Sequence, residues 1–248
     1  MIVNDVKVKE NERIDDLHRN GYMLIQNPKY FCFGVDTVIL SDFCKVKKNE
    51  KVLDLGTGNG ILPILLSAKN ENAHFTGLEV QEESADMATR SVKLNSLEEK
   101  ICIQKGDIKK LTSIFKHASF DVVVTNPPYM EQGGGILNTY DPKAIARHEI
   151  LCNLNDVIEG SSKMLRFAGR FYMVHRPHRL ADILVALRTY KMEAKSIRFV
   201  HSYANKEPNM MLLEATRGGK PMCKILPPLI IYKEDGTYTD EVNKIYYG

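Results

Sequence analysis

Nowhere in this 248-residue chain does an apolar run approach the roughly 18 residues that a membrane span requires. The start, Met1 to Asn20, is polar and charged and does not read as a signal peptide. Both absences lead to the expectation of a cytoplasmic protein without a membrane partner. The five cysteines, Cys32, Cys44, Cys102, Cys152 and Cys223, are odd in number and scattered, and none stands at a metal-ligand spacing. Disulfides and structural zinc are therefore not expected. His175 and His178 form an H-x-x-H pair, but Pro177 and a strand end between them argue against a metal there as well. A large charge excess is also missing: a net charge of +3 tolerates a polyanion without demanding one. No internal repeat, low-complexity tract or second domain is visible, and a 44% hydrophobic content fits one large domain with small additions.

What the chain does have is alternation of strand and helix patterns from Lys51 onward. Val52-Leu53-Asp54-Leu55 reads as a strand, Ile61 to Ala68 as a buried helix with Pro63 in its first turn, and His74 to Val80 as a second strand. A helix from Glu82 to Leu97 with Ala85, Ala88 and Val92 on one face follows, then strands at Ile101-Cys102-Ile103 and Asp121 to Val124. Beyond Gly133-Gly134-Gly135 come a helix from Asn155 to Phe167, a strand from Gly169 to Val174 and a helix from Arg179 to Tyr190. Two late strands follow, near Ser196 to Val200 and Met210 to Ala215. This order predicts an α/β fold, a doubly wound, mostly parallel sheet with one antiparallel edge.

The pattern divides the chain into a short leader over 1–48, a core over 49–216 and a Pro-rich extension over 217–248 expected on the surface. In the leader, Tyr22 to Gln26 and Tyr30 to Phe33 read as two strands about a turn at Asn27-Pro28-Lys29. Asp36 reads as the cap of a helix through Val38 and Phe43, and Phe31 and Phe33 as a lid over the sheet.

Directly after the apolar run Phe120 to Val124 stands Asn126-Pro127-Pro128-Tyr129. Its place at a strand's carboxyl edge is where open α/β sheets bind ligands. An Asn carbonyl accepts one N–H, and proline restricts both itself and the residue before it, so Asn126 and the Pro127 carbonyl can point the same way. Two adjacent acceptors suit a planar NH2 group, and Tyr129 can stack on the ring that bears it, worth roughly 1–3 kcal/mol for a nucleobase. An ordinary Pro-Pro turn closed by a Tyr has the same letters.

Between the first strand and helix lies Asp54-Leu55-Gly56-Thr57-Gly58-Asn59-Gly60, whose glycines allow a sharp turn against a bound ligand. Its spacing is G-x-G-x-G, and Ile61 stands where a dinucleotide-binding loop needs a small residue. Glu79 closes the second strand, placed to accept from both hydroxyls of a ribose. Asp107, in Gly106-Asp107-Ile108, follows the third strand and is placed to accept from an adenine amine. Either acid alone reads equally as a strand-end charge.

Over roughly Asn49 to Ala215 these motifs, in this order, resemble the class I S-adenosylmethionine-dependent methyltransferases. The resemblance implies a Rossmann-like, seven-stranded sheet of order 3-2-1-4-5-7-6 and S-adenosylmethionine as cofactor. It places Asp54, Gly56 and Gly58 along the methionine portion, Glu79 at the ribose and Asp107 at the adenine, with Thr57, Gly60, Val80, Ile108 and Asn126 completing the cofactor site. Asn126, Pro127, Pro128 and Tyr129 resemble the catalytic motif of enzymes that methylate a planar amino nitrogen without a metal.

Within that group the chain looks most like the tRNA1(Val) adenine N6-methyltransferases. That likeness extends to Phe33-Gly34-Val35-Asp36 and to Ala146-Arg147-His148-Glu149, and implies tRNA as substrate, methylated next to the anticodon. Release-factor glutamine methyltransferases share the tetrapeptide but carry a helical domain before the glycine loop, and DNA adenine methyltransferases add a recognition domain. A catalytically silent, RNA-binding relative is a further alternative. Arg147 and His148 read as loop-ordering, RNA-contacting or salt-bridged residues, and Arg176 and Arg179 as phosphate contacts or a solvated basic edge.

Overall fold

The computed structural model describes residues 2–30, 32–70, 72–127 and 153–248. Two antiparallel hairpins come first, β1 (Ile2–Val3) with β2 (Val6–Lys7) and β3 (Arg13–Asp16) with β4 (Met23–Gln26). The second pairing corrects the expected one: β4 pairs with the segment before it, and no described residue of Tyr30 to Phe33 forms a strand. The Leu17 N–H donates to the Tyr22 carbonyl, and residues 18–21 form the loop between them, with Asn20 and Gly21 at φ of 49° and 69°.

There follow α1 (Val35–Phe43), β5 (Lys51–Leu55), α2 (Ile61–Lys69), β6 (His74–Glu79), α3 (Glu82–Leu94), β7 (Ile101–Lys105), the single turn α4 (Leu111–Ile114) and β8 (Phe120–Thr125). After the undescribed stretch come α5 (Leu154–Met164), β9 (Leu165–His175), α6 (Leu180–Thr189), β10 (Met192–His201) and β11 (Pro208–Arg217). The chain ends in β12 (Lys224–Ile225), β13 (Leu229–Ile230) and α7 (Asp240–Tyr247). Asp36 lies in the first turn of α1, where its Oδ1 accepts the Thr37 N–H, while Gly34 holds the cap position. The expected helix through Phe167 stops at Met164, because Leu165 already pairs with Phe120 in the sheet.

The main sheet has the order β12-β10-β11-β9-β8-β5-β6-β7, with β13 also on β10. Neighbours from β7 to β9 are parallel, and β11 runs antiparallel to both β9 and β10. Without the two-residue strands β12 and β13, this is the seven-stranded 3-2-1-4-5-7-6 arrangement. Helices cover both faces, so the central strands are buried throughout: Val122, Val123 and Val124 have no exposed surface. Their side chains alternate between two cores. Val122 and Val124 join Val52, Leu66 and Tyr172 on one face, and Val123 joins Leu53, Phe171 and Ile183 on the other.

The C-terminal extension is more than a surface appendage. Leu229, Ile231, Val242 and Ile245 are buried in the same core as Leu17, Leu24 and Val38 of the leader. Leu229 lies in β13, which with β12 pairs along the outer edge of β10, and Val242 and Ile245 lie on α7. Phe33, partly buried, packs against this core as well.

Candidate active site

β5 is flanked by β6 on one side and β8 on the other, and the chain winds away from it in both directions. The crevice at the carboxyl ends of these strands is the switch point at which such sheets take ligands. The glycine loop fills it. Gly56, Gly58 and Gly60 have φ of 75°, 57° and 85°, and the N–H groups of Gly56 and Thr57 donate to the Leu78 carbonyl at 2.9 and 3.0 Å. At Gly60 a Cβ would come within 3.1 Å of the Ala88 Cβ, so the absence of a side chain lets α3 lie against the loop. Gly77, which pairs with Asp54 across β5 and β6, is a contributor the sequence reading passed over. A Cβ there would meet three side-chain atoms of Thr57 at 2.7 to 2.9 Å. A glycine inside a strand is a sign of such a close approach.

Three carboxylates stand around this loop. Glu79 ends β6 and is 6% exposed; its Oε2 accepts from the Gly58 N–H and its Oε1 from the Gln81 N–H, both at 2.9 Å. Asp54 is buried in β5, and neither of its oxygens has a hydrogen-bond partner among the described residues; the same holds for the Thr57 hydroxyl and the Asn59 side-chain carbonyl. Burial raises the Asp54 pKa to about 7, and the Glu79 carboxylate adds to the rise. Asp107 follows β7, tied beside Glu79 because the Gly106 N–H donates to the Glu79 carbonyl, and its side chain caps the 3-10 turn 108–110 by accepting from Lys109. Val80, next to Glu79, leaves an apolar side chain 38% exposed, and Ile108 is half-buried after Asp107.

Asn126 follows β8, whose end is fastened to β5 by the Thr125 hydroxyl donating to the Leu55 carbonyl at 2.9 Å. Its Nδ2 donates to Thr37 Oγ1 at 2.9 Å and to Asp36 Oδ2 at 3.2 Å. The leader reaches the glycine loop too. Gln26, 2% exposed, accepts on Oε1 from the Phe33 N–H at 3.1 Å and from Asn59 Nδ2 at 3.4 Å, and its own amide nitrogen donates to Asp15. Neither link was foreseen in the sequence.

Pro127 is the last described residue of the tetrapeptide; Pro128, Tyr129, Arg147, His148 and Glu149 lie outside the described residues. His175 ends β9, the parallel neighbour of β8, and is 5% exposed, with Nδ1 accepting from the Arg176 N–H at 2.8 Å. Burial, seconded by the charge of Arg179, lowers its pKa to about 4, so the ring is neutral at neutral pH. Arg176 donates to the Asn209 carbonyl and Arg179 to Asp182. Among the described residues no cluster of three or more His, Cys, Asp or Glu is placed to hold a metal, and no helix is long and apolar enough to cross a membrane.

Residues 46–216 match the family described as Methyltransferase domain. A tRNA1(Val) (adenine(37)-N6)-methyltransferase of Porphyromonas gingivalis is 28% identical over 77% of this chain and 76% of its own length. The Haemophilus influenzae protein of the same name is 27% identical over 90% of this chain and 94% of its own. Among solved structures, a predicted O-methyltransferase from Agrobacterium tumefaciens superposes with a TM-score of 0.71 at 20% identity, over 85% of this chain and 95% of that one. Geranyl diphosphate C-methyltransferase from Streptomyces coelicolor A3(2), solved with S-adenosyl-L-homocysteine, gives 0.54 at 12% identity, over 73% and 79%. At those identities the two structures speak for the fold, while the family match spans the glycine loop, all three carboxylates and Asn126. The chain belongs to the methyltransferase-domain family and is an S-adenosylmethionine-dependent methyltransferase.

Proposed function

We propose that this methyltransferase acts on the exocyclic N6 amine of adenine in tRNA, next to the anticodon. What carries the reading is the orientation of the Asn126 amide: with its nitrogen edge turned to Asp36 and Thr37, its carbonyl oxygen is the edge presented away from the leader. Support for the substrate comes from the relatives named as tRNA1(Val) (adenine(37)-N6)-methyltransferases, which match most of the chain.

The residues present fit the cofactor. Buried acceptors without partners at Asp54 and Asn59 call for a donor, ideally a cation, and the methionyl ammonium is one. Glu79 keeps one hydrogen bond on each oxygen and retains acceptor capacity on both for a ribose diol. Asp107 is the acceptor proposed for the adenine amine, and Val80 and Ile108 are the apolar side chains proposed for its ring. When bound, S-adenosylmethionine supplies an electrophilic methyl group.

The chain's own task is to make a poor nucleophile reactive. The lone pair of an aromatic amine is conjugated with the ring. Accepting its two N–H groups, at Asn126 Oδ1 and the Pro127 carbonyl, favours a more tetrahedral nitrogen and holds it in line for attack. To reach these acceptors the adenine must leave its stack, and Tyr129 provides a face for the flipped base. No metal or general base is needed.

The deciding experiment is methyl transfer from labelled cofactor to tRNA, ribosomal RNA, DNA and release factor in parallel, with mass spectrometry of the product. N6-methyladenosine beside the anticodon is the expected product, and Asn126→Ala is expected to slow its formation by about 100-fold. Labelling of release factor alone would overturn the RNA assignment.

A further inference from the structure

An asparagine at the head of a catalytic loop has two amide orientations that differ only by exchange of O and NH2. One presents an acceptor to a substrate amine. The other presents a donor to a donor, which is repulsive and leaves a polar group unsatisfied. A selection between them is made elsewhere in the fold.

It comes from the first turn of α1, 89 and 90 residues away in sequence. An ionised carboxylate only accepts hydrogen bonds, so the atom of Asn126 that faces Asp36 Oδ2 at 3.2 Å must be the nitrogen. Thr37 reinforces the same choice. Its hydroxyl accepts from Asn126 Nδ2 at 2.9 Å and lies 3.4 Å from Asp36 Oδ1, an oxygen that the Thr37 N–H also holds at 2.8 Å. The hydroxyl's proton thus points to the carboxylate and its lone pair to the amide, a chain in which each bond polarises the next. Thr37 is 1% exposed, so water does not compete there, and Val38, Ile39 and Leu40 anchor the helix in the core. A polar constellation on a packed helix holds its geometry better than one on a loop.

We propose that Asp36 and Thr37 are positioning residues that lock Asn126 with its carbonyl oxygen toward the substrate amine. They act through Asn126 and do not touch the substrate. The inference rests on the reading of Asn126 as the amine acceptor, and it gives the leader a role in methyl transfer that is separate from cofactor binding.

The test compares wild type, Thr37→Val, Thr37→Ser and the double variant Asp36→Ala/Thr37→Val, each with and without Asn126→Ala. Thr37→Val preserves the shape of a fully buried side chain and removes only the hydroxyl. Single-turnover methyl transfer to tRNA at saturating cofactor is expected to fall about 10-fold or more in Thr37→Val, with cofactor Kd unchanged. Thr37→Ser is expected to recover most of that rate. In the Asn126→Ala background, Thr37→Val is expected to change nothing further, because the residue it positions is gone. A wild-type rate in Thr37→Val, or a loss that multiplies with that of Asn126→Ala, would overturn the proposal.

A second measurement does not depend on the substrate. The side-chain amide of Asn126, assigned by its loss in Asn126→Ala, is expected to exchange its protons with water slowly in wild-type protein. In Asp36→Ala/Thr37→Val it is expected to exchange at least several-fold faster. Should wild type methylate none of the four substrates, the functional reading falls while this exchange rate still decides the positioning role. Equal exchange in both proteins would sink it.

Discussion

The Glu79 carboxylate takes the Gly58 N–H on one oxygen and the Gln81 N–H on the other, each at 2.9 Å. One side chain therefore fastens the glycine loop to the start of α3 before any ligand arrives. The same oxygens are those proposed for the ribose, so ligand binding adds donors to an anion already oriented by backbone.

Glu79→Gln separates shape from charge. The glutamine amide has one oxygen and one NH2, and the NH2 must then face a backbone N–H that now lacks its acceptor. Hydrogen bonds to a charged group contribute roughly 1.5–3 kcal/mol, so affinity for S-adenosylmethionine should fall by about one to two orders of magnitude. Calorimetric titration checks this, and retention of wild-type affinity would remove Glu79 from the cofactor site.

Asp54 makes the ligand-free protein pH-sensitive in a definite direction. Its folded pKa is raised to about 7 from the ordinary carboxyl value of 3.8, so between those limits the native state holds a proton that the unfolded chain has released. Stability must then decline as pH rises through that window. Between pH 5 and 7.5 the melting temperature of ligand-free wild type should fall more than that of Asp54→Asn. Affinity for the cofactor should move the other way, rising as pH passes 7 because the ionised carboxylate pairs with the methionyl ammonium, and Asp54→Asn should lose that rise. Parallel melting curves for the two proteins would show that Asp54 ionises normally.

Much of this site was legible because its chemistry is local. Gly56, Gly58 and Gly60 sit in one turn, and Glu79 and Asp107 each end or follow a strand whose pattern is plain, so spacing alone brought them to one edge. Gln26 and Asp36 were not legible as site residues, because their partners Asn59 and Asn126 lie 33 and 90 positions away and no periodicity links them. The hairpin partner of β4 is hidden for another reason: Asn27-Pro28 is a strong turn signal after it, while Asn20-Gly21 before it leads back to Arg13–Asp16, too polar to read as a strand. In the extension, prolines at 221, 227 and 228 suggest surface, and Met222 beside the first is 78% exposed, yet Leu229 beside the last is buried in the core.

Gly77→Ala tests the close approach that shapes the loop from below. The added methyl would lie 2.7 to 2.9 Å from Oγ1, Cγ2 and Cβ of Thr57, which is itself buried and cannot swing into solvent. Overpacking of this kind destabilises by about 1–3 kcal/mol and should weaken cofactor binding as the loop moves. Thr57→Ala removes two of the three opposing atoms. The double variant should therefore be more stable than the sum of the two single effects predicts, as measured by denaturant unfolding. Strict additivity would show that the strand, rather than the loop, absorbs the methyl.

Leu229 and Ile225 belong to neighbouring short strands on the same edge of β10, but only one enters the core. Leu229 pairs with Val200 and has no exposed surface, whereas Ile225 pairs with Ile197 and is 63% exposed. Truncating a buried leucine leaves a cavity among Val200, Leu212 and Ile231, and such changes cost about 2–5 kcal/mol. Truncating the exposed isoleucine should stay within about 0.5 kcal/mol. Urea unfolding of Leu229→Ala and Ile225→Ala distinguishes a tail that is part of the core from one that merely lies on it. Val242 and Ile245 of α7 share that core with Val38 and Leu40 of α1, the helix that carries Asp36 and Thr37. Leu229→Ala should therefore also speed proton exchange at the Asn126 side-chain amide, and Ile225→Ala should leave it as it is in wild type.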